Sequence, residues 1–243
     1  MFVKWLKQEL FGGWNKFEAA WLAVFLLIQA AVFVHEPDSW PATIAAVSGI
    51  LCVVFVGKGK ISNYFFGLVS VSLYAYVAYT FEFYGEAMLN LLVYVPVQFV
   101  GFAMWRNNMA VRQAGADEVE EVKAKSLTPR QWLWVGFFTL SGTLAYIEVL
   151  LWLDSKLPTL DGITVVISIV AQVLMLLRYR EQWVLWIVAN ILTIALWLTL
   201  WLESGETSLP LLTMYCMYLA NSLYGYANWA RLVQHHAPKV QTA

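Results

Sequence analysis

The stretch EQWVLWIVANILTIALW, residues 181–197, spaces Trp183, Trp186, Asn190, Thr193 and Trp197 three or four residues apart. In a helix all five then share one face. An indole ring gives a broad apolar surface that stacks on flat rings and attracts cations, and an amide both donates and accepts hydrogen bonds. Two further stripes have the same character: Asn90, Tyr94, Gln98 and Gly101, with Pro96 as an expected kink among them, and Tyr218, Asn221, Ser222 and Gly225. Three helices offering amides and aromatics suit a pocket for a planar, polar ligand. The candidate contacts are Trp183, Trp186, Asn190, Asn90, Tyr94, Gln98, Tyr218 and Asn221. Each has a plainer alternative, since Trp183 can anchor a membrane rim and amides often bridge neighbouring membrane helices. Gln172 is expected to bridge helices in that way. Asn63, Ser70 and Tyr74 are expected to be packing counterparts of the Trp183–Trp197 stripe.

Catalytic chemistry finds little support. His35, His235 and His236 fall in loops or the tail, and neither an HExxH sequence nor a Walker A loop occurs. No metal, cofactor or enzymatic activity is expected. Glu148 is the one acid read as lying well inside a span; it could relay protons, but snorkelling to the headgroups is the favoured expectation. An intramembrane enzyme built on Glu148 would need a second catalytic group that the sequence does not offer. The pocket walls are expected to carry no charge.

These side chains need membrane helices to position them. The 243 residues are 60% hydrophobic and only 13% charged, with a mean hydropathy of +0.63, whereas soluble domains carry roughly 25% charged residues. Runs long enough to span a bilayer occur near 18–34, 40–57, 61–80, 86–105, 132–153, 160–177, 182–202 and 208–229. The first is expected to be retained, not cleaved as a signal peptide. Ahead of it, MFVKWLKQELFGGW suits either a short interfacial helix or a solvated tail. Trp132, Trp134 and Trp152 bracket the fifth span as a belt, and Cys52 and Cys216 sit in apolar runs as small core residues.

Basic residues orient the chain. With the N-terminus cytoplasmic, every one of the 15 Lys and Arg residues except Lys156 lies inside, whereas Glu36, Asp38, Glu82, Glu86, Asp154, Asp161, Glu203 and Glu206 fall in outer loops. The positive-inside rule therefore puts both termini in the cytoplasm. The basic residues form no patch, so the expected partners are the lipid bilayer and a small-molecule substrate and not nucleic acid. A homo-oligomer is compatible with this composition.

The chain also repeats. ISNYFFGLVSVSLYAY (61–76) aligns with VLWIVANILTIALWLT (184–199) at an offset of 123, pairing Asn63 with Trp186, Gly67 with Asn190, Ser70 with Thr193 and Tyr74 with Trp197. One residue further on in register, Tyr94 meets Tyr218, Gly101 meets Gly225 and Trp105 meets Trp229. Three spans and one linker span run from the start of one unit to the start of the next, an even number of crossings, so both enter the membrane in the same direction, and a substrate site is expected at their interface near the midplane. The fold class is an all-α polytopic membrane protein with eight transmembrane helices: a 3+1+3 seven-helix core of two parallel three-helix repeats plus one extra, peripheral N-terminal helix. The divisions are an interfacial segment and extra helix over 1–39, a first repeat over 40–105, a charged cytoplasmic loop and linker helix over 106–159, a second repeat over 160–230, and a cytoplasmic tail over 231–243.

ISNYFFGLVS (61–70) and REQWVLWIVAN (180–190), the latter after a span ending in ISIVAQVLMLLRYR (167–180), resemble the PnuC nicotinamide riboside transporters. The W-x-x-W-x-x-x-N element is the most specific part, and the resemblance covers roughly 40–230. It implies a fold similar to that of the SWEET sugar transporters, in the bacterial inner (cytoplasmic) membrane. It also implies import of nicotinamide riboside, an NAD precursor, by facilitated diffusion, with trapping through phosphorylation by a cytoplasmic riboside kinase. By motif, Trp183, Trp186 and Asn190 would contact the substrate. The extra helix at 18–34 departs from a plain seven-span plan. A carrier of the same fold for thiamine or another vitamin, and a proton-coupled carrier, are the alternatives.

Overall fold

A computed structural model describes residues 2–35, 39–114, 117–152, 158–205 and 207–236. Its helices are α1 (Phe2–Phe11), α2 (Lys16–His35), α3 (Trp40–Gly57), α4 (Asn63–Thr80), α5 (Tyr84–Met88), α6 (Val95–Arg106), α7 (Pro129–Trp152), α8 (Pro158–Leu176), α9 (Gln182–Ser204) and α10 (Leu209–His236). Between α5 and α6 the chain continues as a π-helical segment, Leu89–Tyr94. Among the described residues, six helical stretches are long and apolar enough to cross a membrane: α2, α3, the composite Tyr84–Arg106, α7, α8 and α9. The protein is a polytopic helical membrane protein. Helices α4 and α10 fall outside that set because Tyr, Ser and Asn interrupt their apolar runs.

Local chemistry fixes the helix ends. Asn15 and Glu18 form a capping box at the start of α2, the Glu18 N–H donating to Asn15 Oδ1 (2.8 Å) and the Asn15 N–H to Glu18 Oε2 (3.0 Å). Thr128 and Gln131 repeat the device ahead of Pro129 in α7. Gly205 closes α9 at φ 72°, its N–H donating to the Trp201 carbonyl at 2.9 Å.

The core lies where α3 packs on α4 and α10, and α9 packs on α8 and α10. Ala42, Ala45, Ala46 and Ile50 of α3 are fully buried against Val77 and Ala78 of α4 and Met214 and Met217 of α10. Small residues let these backbones approach closely. Helix α7 packs on α8 and turns Leu133, Phe137, Phe138 and Leu144 outward. Trp132, Trp134 and Trp152 are exposed near its two ends, as a belt requires. Glu148 is also exposed on α7 and takes no part in the interior.

One end of the bundle is capped by structure that the charged linker did not announce. Met109–Ala114 (β1) pairs antiparallel with Asp117–Val122 (β2), Arg112 reaching diagonally to the Glu121 carboxylate. The hairpin and the residues that follow it tie the α3–α4 turn to the α8–α9 turn: the Val122 N–H donates to the Gly59 carbonyl (2.9 Å), the Lys125 N–H donates to the Arg178 carbonyl (2.9 Å), and the Arg180 N–H donates back to the Lys125 carbonyl (3.0 Å). Helix α1 is docked on this end and is more than a solvated tail. Glu9 accepts from the Ser62 N–H (2.9 Å), and buried Lys60 donates to the Gln8 carbonyl (3.1 Å). Burial pushes the Lys60 ammonium below its usual range, against the pull of the Glu9 carboxylate.

Helix α2 packs on α3 and α10. Gln29 donates to the Pro210 carbonyl and to Thr213 Oγ1 (3.0 Å each), and Glu18 accepts from Lys58 and from the Tyr224 hydroxyl. It adds an outer layer, as expected of a peripheral helix. Cys216, expected in the core, is exposed on α10, whereas Cys52 is part-buried. Glu36, Asp38, Asp154, Lys156, Glu206 and Lys239 lie outside the described residues, as does the far end of the tail.

Candidate functional site

A cavity runs along the middle of the bundle, lined from α3, α4, the kinked helix 84–106, α8, α9 and α10. Seven of the eight candidate contacts come together in its wall: Trp183, Trp186, Asn190, Asn90, Tyr94, Gln98 and Tyr218. They converge because each stripe meets the same void from a different helix.

On α9, Trp186 is part-buried and turns its ring to the cavity. Trp183 is only 2% exposed and closes the hairpin end, wedged against Gly225 and edge-on to Trp229 with centroids 6.2 Å apart. A methyl at Gly225 would stand 2.6 Å from the Trp183 ring, so that glycine exists for close approach. Asn190 is buried and donates from Nδ2 to Ser222 Oγ (3.2 Å), which donates in turn to the Tyr218 carbonyl (2.7 Å). Thr193 continues the lining, but Trp197 leaves it and packs between Phe81 and Phe83.

On the kinked helix, the π-helical segment ends just before Pro96, which stands in the first turn of α6 where its missing N–H does least harm. Asn90, Tyr94 and Gln98 thereby stay on one line. Asn90 Nδ2 donates to the Glu86 carbonyl (2.8 Å) and Gln98 Nε2 to the Tyr94 carbonyl (3.1 Å). With the N–H sides of these amides held by protein, the oxygens of Asn90, Gln98 and Asn190 have no donor partner among the described residues.

Asn221 departs from expectation. It is fully buried outside the lining and donates from Nδ2 to the Val53 carbonyl (2.8 Å), so it ties α10 to α3. Its neighbour Ser222 takes the cavity position instead. Gln172, expected to bridge helices, lines the cavity with its Nε2 unpartnered. Ser70 and Tyr74 also line it; Asn63 does not, bonding the Lys60 carbonyl at 2.6 Å. Gly67 and Gly101 are glycine for packing, the first against Gln98 and the second against the Tyr64 ring.

The expectation of uncharged walls fails at Glu86. Placed among the outer-loop acids by charge counting, it is 7% exposed and lines the cavity from α5. Asp161, placed in the same group, is part-buried in the first turn of α8 beside Gly85. Loop-like spacing hides both: the turn after α4 is so short that α5 begins at Tyr84 and brings Glu86 to the cavity that Tyr74 and Tyr215 also line.

At the hairpin end two tryptophans seal the space below the cavity. Trp105 and Trp229 are both fully buried, their rings 5.8 Å apart. Trp105 of α6 donates to the Met175 carbonyl of α8 (3.1 Å), and Trp229 of α10 donates to the Val56 carbonyl of α3 (2.8 Å).

Comparison with known proteins agrees with this architecture. Residues 39–231 match the family described as nicotinamide mononucleotide transporter. The chain is 70% identical to the nicotinamide riboside transporter PnuC of Neisseria mucosa over 98% of its own length and 89% of that protein's. It is 49% identical to that of Haemophilus influenzae over 94% and 96% of the two lengths. A crystal structure of the vitamin B3 transporter PnuC, 70% identical, superposes with a TM-score of 0.91 over 97% of this chain and 99% of the other. The chain belongs to the PnuC nicotinamide riboside transporter family.

Proposed function

We propose that the protein imports nicotinamide riboside across the bacterial cytoplasmic membrane by facilitated diffusion, its two halves exposing the central cavity to each side in turn. The observation that carries this is the composition of the cavity: an indole face at Trp186, phenols at Tyr94 and Tyr218, and the amides of Asn90, Gln98 and Asn190. An N-ribosylated pyridinium offers a cationic ring for the aromatics and a carboxamide and hydroxyls for the amides. A cytoplasmic kinase would trap the riboside by phosphorylation, since a phosphate finds no Lys or Arg among the described residues of these walls.

The finer topology follows the same lines. Eight spans are assigned, α2 being the extra one, followed by a 3+1+3 core in which α7 links two parallel repeats. Matched left-handed turns support the repeat: Gly59 (φ 70°) and Arg178 (φ 65°) at one end, and Glu82 (φ 62°) and Gly205 (φ 72°), 123 residues apart, at the other. The reciprocal Trp105 and Trp229 hydrogen bonds cross from each repeat into the other. The distribution of Lys and Arg assigns the hairpin end and both termini to the cytoplasm.

Titration calorimetry on purified protein tests the assignment, with nicotinamide riboside as ligand and thiamine as competitor. Riboside binding that thiamine does not displace at matched concentration is the expected result. Preferential binding of thiamine would overturn the substrate.

A further inference from the structure

We propose that the Glu86 carboxylate is the counter-charge that makes this cavity select a cationic ring over a neutral ring of the same shape. The proposal rests on the nicotinamide riboside reading above and adds to it a residue that sets charge specificity.

The carboxylate enters the cavity from α5 at the end away from Trp183 and is almost completely buried. None of the ion pairs among the described residues includes it. The nearby Asn90 amide donates to the Glu86 backbone carbonyl and not to its carboxylate. The charged group closest to it across the helix interface is Asp161 of α8, another acid, whose Oδ2 stands 3.4 Å from where a Gly85 Cβ would be. The remaining facing groups, Tyr74, Tyr94, Tyr146 and Tyr215, are neutral phenols. A buried carboxylate without a cation is costly, and a buried acid that keeps no protein cation is suited to take one from a ligand. The rest of the cavity points the same way. The oxygens of Asn90, Gln98 and Asn190 are left without donors among the described residues, and the faces of Trp186 and the tyrosines carry the negative side of a ring quadrupole. An N-ribosylated pyridinium brings one delocalised positive charge and no other, which matches one carboxylate.

The test compares nicotinamide riboside with its dihydro form, in which the ring is neutral while ribose and carboxamide are kept. In wild-type protein the cationic form is expected to bind at least tenfold tighter by titration calorimetry, about 1.4 kcal/mol. Glu86→Gln is expected to reduce that preference several-fold by weakening the cation alone, with Trp186 keeping the remainder, and Glu86→Asp to keep most of it. Equal affinities of the two forms for wild-type protein would overturn the proposal without any variant. So would a Glu86→Gln protein that loses both forms equally or loses neither. Failure of wild-type protein to bind either form would instead overturn the substrate reading.

Discussion

Trp186 and Trp183 share one helix face but are predicted to fail in different ways when truncated. Trp186 is part-buried with its ring on the cavity, and Trp183 is 2% exposed and jammed against Gly225 and Trp229. A desolvated cation over an indole is worth about 2 kcal/mol. Covering roughly 100 Å² of one Trp face adds about 2.5 kcal/mol at ~25 cal/mol per Å². Water filling the truncated site returns part of this, leaving a loss of about 1.5–3 kcal/mol for Trp186→Ala. That is a rise in Kd of roughly 10- to 150-fold, with Trp186→Phe falling between. Trp183→Ala instead opens a cavity in packed side chains and should lower stability by about 3–5 kcal/mol. Calorimetry gives the first quantity and thermal unfolding in detergent the second. Trp186→Ala with unchanged affinity, or Trp183→Ala with unchanged melting temperature, would refute the division of roles.

Three further outcomes follow from the same geometry. Asn190→Ala should weaken riboside binding by about 1–3 kcal/mol through the lost amide, with little change in melting temperature; full affinity by calorimetry would remove Asn190 from the site. Trp105→Phe and Trp229→Phe keep an aromatic ring but free the Met175 and Val56 carbonyls, the lost hydrogen bonds costing about 1 kcal/mol each; thiol labelling of a cysteine placed near the cavity floor from the hairpin side should speed up in both, and unchanged labelling would contradict a clasp at that end. Glu18→Ala strands the buried Lys58 ammonium, so about 3 kcal/mol and roughly 6–12 °C of melting temperature should be lost, as scanning fluorimetry would show; a loss under 2 °C would mean that the pair does not hold α2.

How much of this was legible in sequence depends on which physical signal each residue carries. The stripes of α9 and the kinked helix were readable because helical periodicity alone puts Trp186 with Asn190, and Asn90 with Gln98, on one face. Asn221 and Ser222 differ by one position, 100° of helix rotation, which periodicity cannot resolve without knowing how α10 sits against α3. Charge counting misplaces Glu86 because it sorts acids to the outside, whereas the short Phe81–Phe83 turn starts α5 early enough to bring Glu86 to the cavity wall. Gln172 differs from expectation for a related reason: periodicity does not show that the cavity runs past α8 at this position, where the buried Nε2 finds no helix to bridge. The hairpin at 109–122 was hidden by its charges. Val119, Glu121 and Val122 are buried only because α1 and the Gly59 turn pack on that strand. The helices themselves were plain from composition, since their lengths are set by the bilayer.

The central claim, passive carriage of nicotinamide riboside through this cavity, is tested most directly by uptake into liposomes containing the purified protein and no ion gradient. Labelled riboside should enter until inside and outside concentrations are equal and stop there, while Trp186→Ala and Asn190→Ala proteins equilibrate far more slowly. Accumulation above the outside concentration only when a proton gradient is imposed, or no protein-dependent entry at all, would contradict the account.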